Sequence, residues 1–122
     1  MKLALTFKSA RMEVELLETP TVRALLAALP FESTAQTWGE EIYFSTPVTV
    51  EMEREARQVV EPGTVCFWTE GDALALPYGR TPISTDERSK LASRCNIVGK
   101  LVGDPWRLAA VKPGEKVVVE SA

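Results

Sequence analysis

Residues 2–16, KLALTFKSARMEVEL, alternate apolar with polar or small side chains on both sides of a short Lys-Ser-Ala break. Leu3, Leu5 and Phe7 share one parity before it, and Met12, Val14 and Leu16 share one after it. Successive side chains of an extended chain point to opposite faces, so each arm has one apolar and one wet side. Two such arms joined by a polar link read as an antiparallel hairpin. A lone hairpin is barely stable in water, so its apolar face must be laid on a larger core. Strand-length segments of this kind recur down the chain between closely spaced turns, the pattern of a β-barrel or sandwich.

One stretch departs from that period. In TPTVRALLAALP (19–30), Thr19 can cap, Pro20 suits the first helical position, and Val22, Leu25, Leu26 and Leu29 form one stripe before Pro30 stops the run. This predicts a helix over 20–29 packed on the core. FESTAQTWGEEIYFS (31–45) reads as two strands about Gly39. Residues 46–60 carry mixed signals: Val48, Val50 and Met52 alternate, whereas EREARQ (53–58) suits a helical turn or a loop. EPGTVCFW (61–68) supplies a turn and a strand, and Gly71–Asp72 turns the chain into ALALPY (73–78). Pro77 has no N–H for a ladder, which places this strand at an edge or gives it a bulge. Gly79 and Pro82 then end it. TDERSKLA (85–92) reads as a short polar helical turn, CNIVGKLVG (95–103) as an apolar strand, residues 105–110 as a short helix and KVVVE (116–120) as the last strand. The expectation is one domain over residues 1–122, mainly β, with about eight strands.

Composition narrows the chemistry. There is no histidine among 122 residues, which removes the usual Ser–His and Cys–His nucleophiles and the commonest zinc ligand. Carboxylates do not cluster in the sequence as a metal would need, so neither metal nor cofactor is expected. Cys66 and Cys95 are too few for a disulfide framework and lie in strand-like runs, where they read as small buried hydrophobes. With a net charge of −3 and no Lys/Arg cluster clear of acids, nucleic acid is not expected as a partner. No stretch is long enough to span a bilayer, and the apolar run at the start is broken by Thr6 and Lys8, so the expected location is the cytoplasm, away from membranes.

NIVGKL (96–101) fails as a phosphate loop, because Arg94 stands where the first glycine belongs and Leu101 where Ser or Thr would hold magnesium. Glu40 and Glu41 are adjacent, so in a strand they face opposite ways and cannot share a substrate; they read as hairpin-tip charges that keep an edge soluble. The aromatics Trp38, Tyr43, Phe67, Trp68 and Tyr78 fall in or beside strands close to turns. Side chains of this type beside Arg80 and Thr81 are how a groove for an extended peptide is often built.

The segments FESTAQTWGEEIYFSTPV (31–48), PGTVCFW (62–68), YGRTPIS (78–84) and NIVGKLVGD (96–104) stand in an order that resembles the small bacterial and archaeal cyclophilin-like family, long labelled a domain of unknown function. The resemblance runs nearly end to end. It implies a closed or nearly closed β-barrel whose interior is filled by its own side chains, leaving a surface groove for any ligand. Cyclophilins proper are peptidyl-prolyl isomerases, but their Arg–aliphatic–aliphatic–Pro-Gly-Phe and Met-Cys-Gln-Gly-like motifs are absent here and no catalytic residue carries over. The reading is therefore a module that binds a peptide or a small molecule on its aromatic-rich face. Trp68 or Tyr43 beside Tyr78 would form the seat, with Trp38 and Thr81 close by, Arg80 as donor and Gln36 holding a peptide backbone. A proline isomerase using the same groups is the alternative, since rotation about an imide needs only an apolar seat and a donor. A module that assembles through an exposed strand edge is the other.

Overall fold

The computed structural model describes all residues from 1 to 122. Its strands are β1 (Lys2–Phe7), β2 (Arg11–Leu16), β3 (Phe31–Thr34), β4 (Gln36–Thr37), β5 (Glu41–Ser45), β6 (Arg57–Val60), β7 (Thr64–Trp68), β8 (Ala73–Pro77), β9 (Ser89–Val102) and β10 (Lys116–Ser121), with one α-helix, α1 (Pro20–Ala28). Short 3-10 turns occupy Thr69–Gly71 and Pro105–Ala110. The opening hairpin forms as its alternation dictates, with Leu3 opposite Val14 and Leu5 opposite Met12. The helix begins where Thr19 accepts a hydrogen bond from the Val22 amide at 3.2 Å, and it ends one residue earlier than expected, with Leu29 already extended.

The fold is mainly β, built on one sheet. Its order is β3-β10-β1-β2-β9-β7-β8-β5-β4, and β6 joins by pairing with β9. The ladder does not close, contrary to the fully closed barrel. Its two ends, β3 and β4, are consecutive in the chain and separated only by Ala35. The backbone of Ala35 is committed elsewhere: its N–H donates to the Glu115 carbonyl at 2.7 Å and its carbonyl accepts from the Gly114 amide at 2.8 Å. Strands β3 and β5 meet through side chains instead, with the Ser33 and Ser45 hydroxyls 3.2 Å apart.

One face of the sheet carries the main core, a cluster of 22 buried residues. Leu3 and Leu5, Val14, Ile42 and Phe44, Val65 and Phe67, and Leu74 and Leu76 enter it at every second position of their strands. Phe7 and Phe44 meet edge to face with ring centroids 6.3 Å apart. Helix α1 is held to this body by Asn96 of β9, whose side-chain amide donates to Thr21 Oγ1 at 2.9 Å, while the Thr21 amide donates to Glu53 at 3.1 Å. The Glu53 amide in turn donates to Asn96 Oδ1 at 2.7 Å, which pins the mixed-signal segment before β6.

Three local expectations are corrected. Residues 85–88 are turn and bend, and Ser89 to Ala92 extend as the start of β9 rather than forming a helical turn. Asp86 is tied to Arg88 at 2.7 Å, and the backbone beyond is captured by β6, with Val60 opposite Ser89 and Val59 opposite Lys90. Strand β8 lies inside the sheet, between β7 and β5, not at an edge. Pro77 is tolerated there because it is the last residue of the strand, beyond the last β7 pairing at Ala75. The strand count is ten because 31–37 breaks into two pieces at Ala35 and β6 emerges from the mixed segment. No helix is long and apolar enough to cross a membrane.

Strand β9 runs 14 residues and changes partners along its length. Its first half pairs with β6, and its second half lies between β7 and β2. At Gly99, opposite Val65 on one side and Leu16 on the other, a Cβ would collide with the Glu15 backbone carbonyl. Backbone cannot rotate out of the way as a side-chain tip can. Gly99→Ala is therefore expected to lower the denaturation midpoint with an unchanged denaturant slope, by about 1–3 kcal/mol as overpacking does. A loss below a few tenths of a kcal/mol in urea titration would show that β2 gives way freely.

Candidate functional site

Period two has a second consequence in β5. Ile42 and Phe44 point into the main core, so Glu41 and Tyr43 point to the other face of the sheet. Ala75 of β8 lies opposite both Tyr43 and Cys66 of β7, and these groups with Val60, Leu91 and Cys95 form a second, smaller apolar cluster. Leu91 and Cys95 come from the first half of β9, the half that has left β7 to pair with β6. Between this ribbon and the sheet lies a cavity of about 180 Å3. Its walls are Trp38, Tyr43, Trp68, Leu91, Ala92 and Cys95, with Ala75 and Glu41 completing it.

The two tryptophans arrive by different routes. Trp38 sits in the β4–β5 turn, closed by its amide donating to the Glu41 carbonyl at 3.0 Å. Trp68 ends β7, and its indole N–H donates to Ser93 Oγ at 2.9 Å. Ser93 passes the bond on to Glu70 Oε1 at 2.7 Å, so a polar chain ties the indole to β9 and to the 3-10 turn. Gly71 allows that turn to close over the ring, since a Cβ there would stand 2.5 Å from Trp68 Cε3.

Glu41 is the unusual member. It is 6% exposed, and its Oε1 is buried with no protein donor in reach. No cation of the protein offsets its charge, and burial alone pushes its pKa from 4.5 up to about 7. Its neighbour Glu40 faces the opposite way and accepts the Arg80 amide at 2.8 Å. The expectation that both are hairpin-tip charges is thus wrong for Glu41, because the β6–β9 ribbon covers the face it occupies. Burial also pushes the Cys95 thiol up to about 12 and Cys66 well above its ordinary value, so neither supplies a thiolate. Both cysteines are unbridged and buried.

Of the side chains singled out in the sequence, Trp38, Tyr43 and Trp68 meet at the cavity and the others do not. Tyr78 is packed in the main core, edge to face with Trp106 at 5.3 Å. Arg80 is exposed, its guanidinium donating to the Ser84 carbonyl at 3.3 Å. Thr81 is buried and donates to the Lys90 carbonyl, while its amide donates to Ser84 Oγ at 3.0 Å. Together they knot the turn after β8 to the start of β9. Gln36 is exposed on β4, opposite Tyr43 in the ladder. The residues that sequence reasoning passed over are Glu41, Ala75, Leu91, Ala92 and Cys95. A signal for Glu41 was present: once Ile42 and Phe44 are inward, a carboxylate and Tyr43 share the outer face. No group of three or more Cys, Asp or Glu side chains is placed to hold a metal ion.

Fold and site together define a small, mainly β domain with one open sheet and a cavity on the sheet's outer face. The chain belongs to the Cyclophilin-like family, whose model matches residues 1–120. It is similar to the solution structure of a hypothetical protein from Archaeoglobus fulgidus, AF2241, at 47% identity and a TM-score of 0.85, covering 100% of this chain and 95% of that one. No match was found among curated proteins.

The raised pKa of Glu41 has a definite sign. The native state holds this proton more tightly than the unfolded chain, so the stability it contributes is complete below about pH 4.5 and is lost as pH rises through about 7. The loss totals about 3 kcal/mol at about 1.4 kcal/mol for each pH unit between the two values. Glu41→Gln is expected to match the parent near pH 4.5 and exceed it by up to that amount at pH 8, read from paired denaturation curves. An equal gap at both pH values would place the titration on another group.

Proposed function

We propose that this protein is a small-ligand-binding domain whose site is the cavity between the outer face of the sheet and the β6–β9 ribbon. The observation that carries the reading is Glu41, a buried carboxyl with an oxygen that lacks any donor from the protein, on the wall of an otherwise apolar, aromatic-lined space. Buried polar atoms are rarely left unpaired, because each unmade hydrogen bond costs about 1–3 kcal/mol. A fold that keeps one in a cavity has a use for it there. At about 180 Å3 the space suits one ring with a few attached atoms, comparable to a cavity of about 150 Å3 that accepts benzene. The ligand is a free small molecule or a single side chain of a peptide, not a length of backbone.

Isomerase activity is less well supported by the same geometry. The apolar seat exists, but Arg80, the donor that reading relied on, is engaged with Ser84 and does not line the cavity. The alternative of assembly through a strand edge gains nothing from the turn at 78–82, whose buried side chains Tyr78 and Thr81 are covered by the protein's own packing.

The three tryptophans give a direct test, since Trp38 and Trp68 line the cavity and Trp106 does not. Single-ring fragments titrated into labelled protein are expected to shift the indole N–H signals of Trp38 and Trp68 and leave Trp106 in place. Xaa-Pro peptides in the same tube are expected to exchange between cis and trans at the uncatalysed rate, tens to hundreds of seconds. Silence of Trp38 and Trp68 across a fragment set would sink the binding reading, and acceleration lost in Arg80→Ala would restore the isomerase.

A further inference from the structure

The walls of the cavity say more than that a small ring fits. The one charged side chain on the wall is the carboxyl of Glu41, which has no donor from the protein, so a ligand paired with its ionised form must bring an N–H or O–H donor. The surrounding rings belong to Trp38, Tyr43 and Trp68, whose π-faces attract positive charge, the more so in a desolvated site. No Lys or Arg lines the space.

The neighbouring elements put no cation on the wall: of the two cations beside Ala92 on β9, Arg94 donates to the Ala56 carbonyl at 3.3 Å, and Lys90, like Arg94, is not a lining residue. Cys66 of β7 and Cys95 of β9 face Glu41 as neutral thiols, and Glu70 of the 3-10 turn adds negative charge by way of Ser93. Tyr43 shares the face on β5, and the outward residues of β8 are Ala73, Ala75 and Pro77, which carry no charge. Arg57 of β6 is felt at Cys66, but its side chain lines a separate shallow depression with Glu15, Thr64 and Lys100. An anion would meet carboxylate repulsion here, and a neutral acceptor such as a carbonyl would be served only by the protonated form of Glu41.

Resting on the reading of the cavity as a ligand site, we propose that its ligand is a small organic cation, a primary or secondary ammonium carried on one apolar ring, with the ammonium donating to the Glu41 carboxylate and its charge held among Trp38, Tyr43 and Trp68. Such a ligand completes the hydrogen bonding of Glu41 and replaces the counter-ion that the protein withholds. Its ring occupies the apolar part of the cavity against Ala75 and Leu91. Because the cation favours the ionised carboxyl, binding drives a proton off Glu41, whereas a carbonyl ligand would draw one on.

Three probes of one shape separate the possibilities: benzylamine, benzyl alcohol and benzoate, titrated calorimetrically at pH 7 in two buffers of different ionisation enthalpy, with the indole N–H signals followed alongside. Benzylamine is expected to bind about tenfold or more tightly than benzyl alcohol, the scale of a desolvated cation–π contact joined to a charge-assisted hydrogen bond. It should release about half a proton, since Glu41 is near half ionised at that pH. Benzoate should not bind. Glu41→Gln, checked for folding by its spectrum, should bind the amine no better than the alcohol and should release no proton. Benzyl alcohol or benzoate binding as well as benzylamine, or an amine preference that survives Glu41→Gln, would overturn the cation and leave the cavity as a binding site. Failure of all three to bind or to move Trp38 and Trp68 would overturn both.

Discussion

A single strand that changes partners holds both the core and the cavity in place. From Asn96 onward β9 is an interior strand, closing the main core between β7 and β2. Before Asn96 it leaves that sheet plane and pairs with β6, carrying Leu91 and Cys95 over the outer face of β7, β8 and β5. The irregular pairing between Val65 and Cys66 marks the departure. Bulges raise local twist and redirect a strand, and here the redirection separates two faces that a regular sheet would leave as core and solvent. Asn96 stands at the switch and ties it down, bonding to Thr21 of the helix and to the Glu51 carbonyl and Glu53 amide of the loop before β6. Helix, loop and ribbon are therefore set by one buried amide.

The cost of the arrangement falls on Glu41. A carboxyl buried without a partner loses about 3 kcal/mol above neutrality, set against a typical domain stability of about 5–15 kcal/mol. The protein offers it no lysine, arginine or amide, although such groups are near at hand: the Arg80 amide goes to Glu40, one residue away on the opposite face. Tying Glu40 orders the turn at 78–81 and fixes the parity of β5. That parity leaves Glu41 no face but the covered one. The two carboxylates thus lie on opposite faces of the sheet, and the burial of Glu41 is a cost that the 22-residue core on the other face is large enough to carry.

How far this was legible depends on the range of the interaction. The hairpin, the cap at Thr19, the turn at Gly71–Asp72 and the burial of Cys66 and Cys95 follow from neighbours in sequence, and each stands in the structure. The start of β9 was misread because SKLA has no strong period of its own; β6, about 30 residues away, decides it. Pro77 was sent to an edge by a sound local rule whose exception, a strand terminus beyond its neighbour's last pairing, is visible only in the register. The open sheet follows from Ala35, whose backbone is claimed by residues 114 and 115. Trp38, Tyr43 and Trp68, conspicuous in the sequence as aromatics near strand ends, come together at the cavity. Arg80 and Thr81 lie away from that cavity and bond within their own turn, a separation that a turn rich in hydrogen-bonding residues does not reveal in the sequence.

Folds host many functions, so kinship with a family fixes the scaffold and leaves the chemistry to the site. That division is sharp in this chain. The Cyclophilin-like match covers residues 1–120 and carries the sheet, the helix and the turns, while in the 78–84 turn Arg80 donates to the Ser84 carbonyl and does not line the cavity. What is left is electrostatic and local: an unpaired acceptor, three aromatic walls, and a polar chain from Trp68 through Ser93 to Glu70 that fixes one of those walls before any ligand arrives. Under the proposed reading, a wall fixed in advance lowers the ordering cost of seating a ring-sized ligand. On that proposal selection would rest on charge more than on shape, because a mismatched polar group in an apolar space is penalised more heavily than a misplaced methylene.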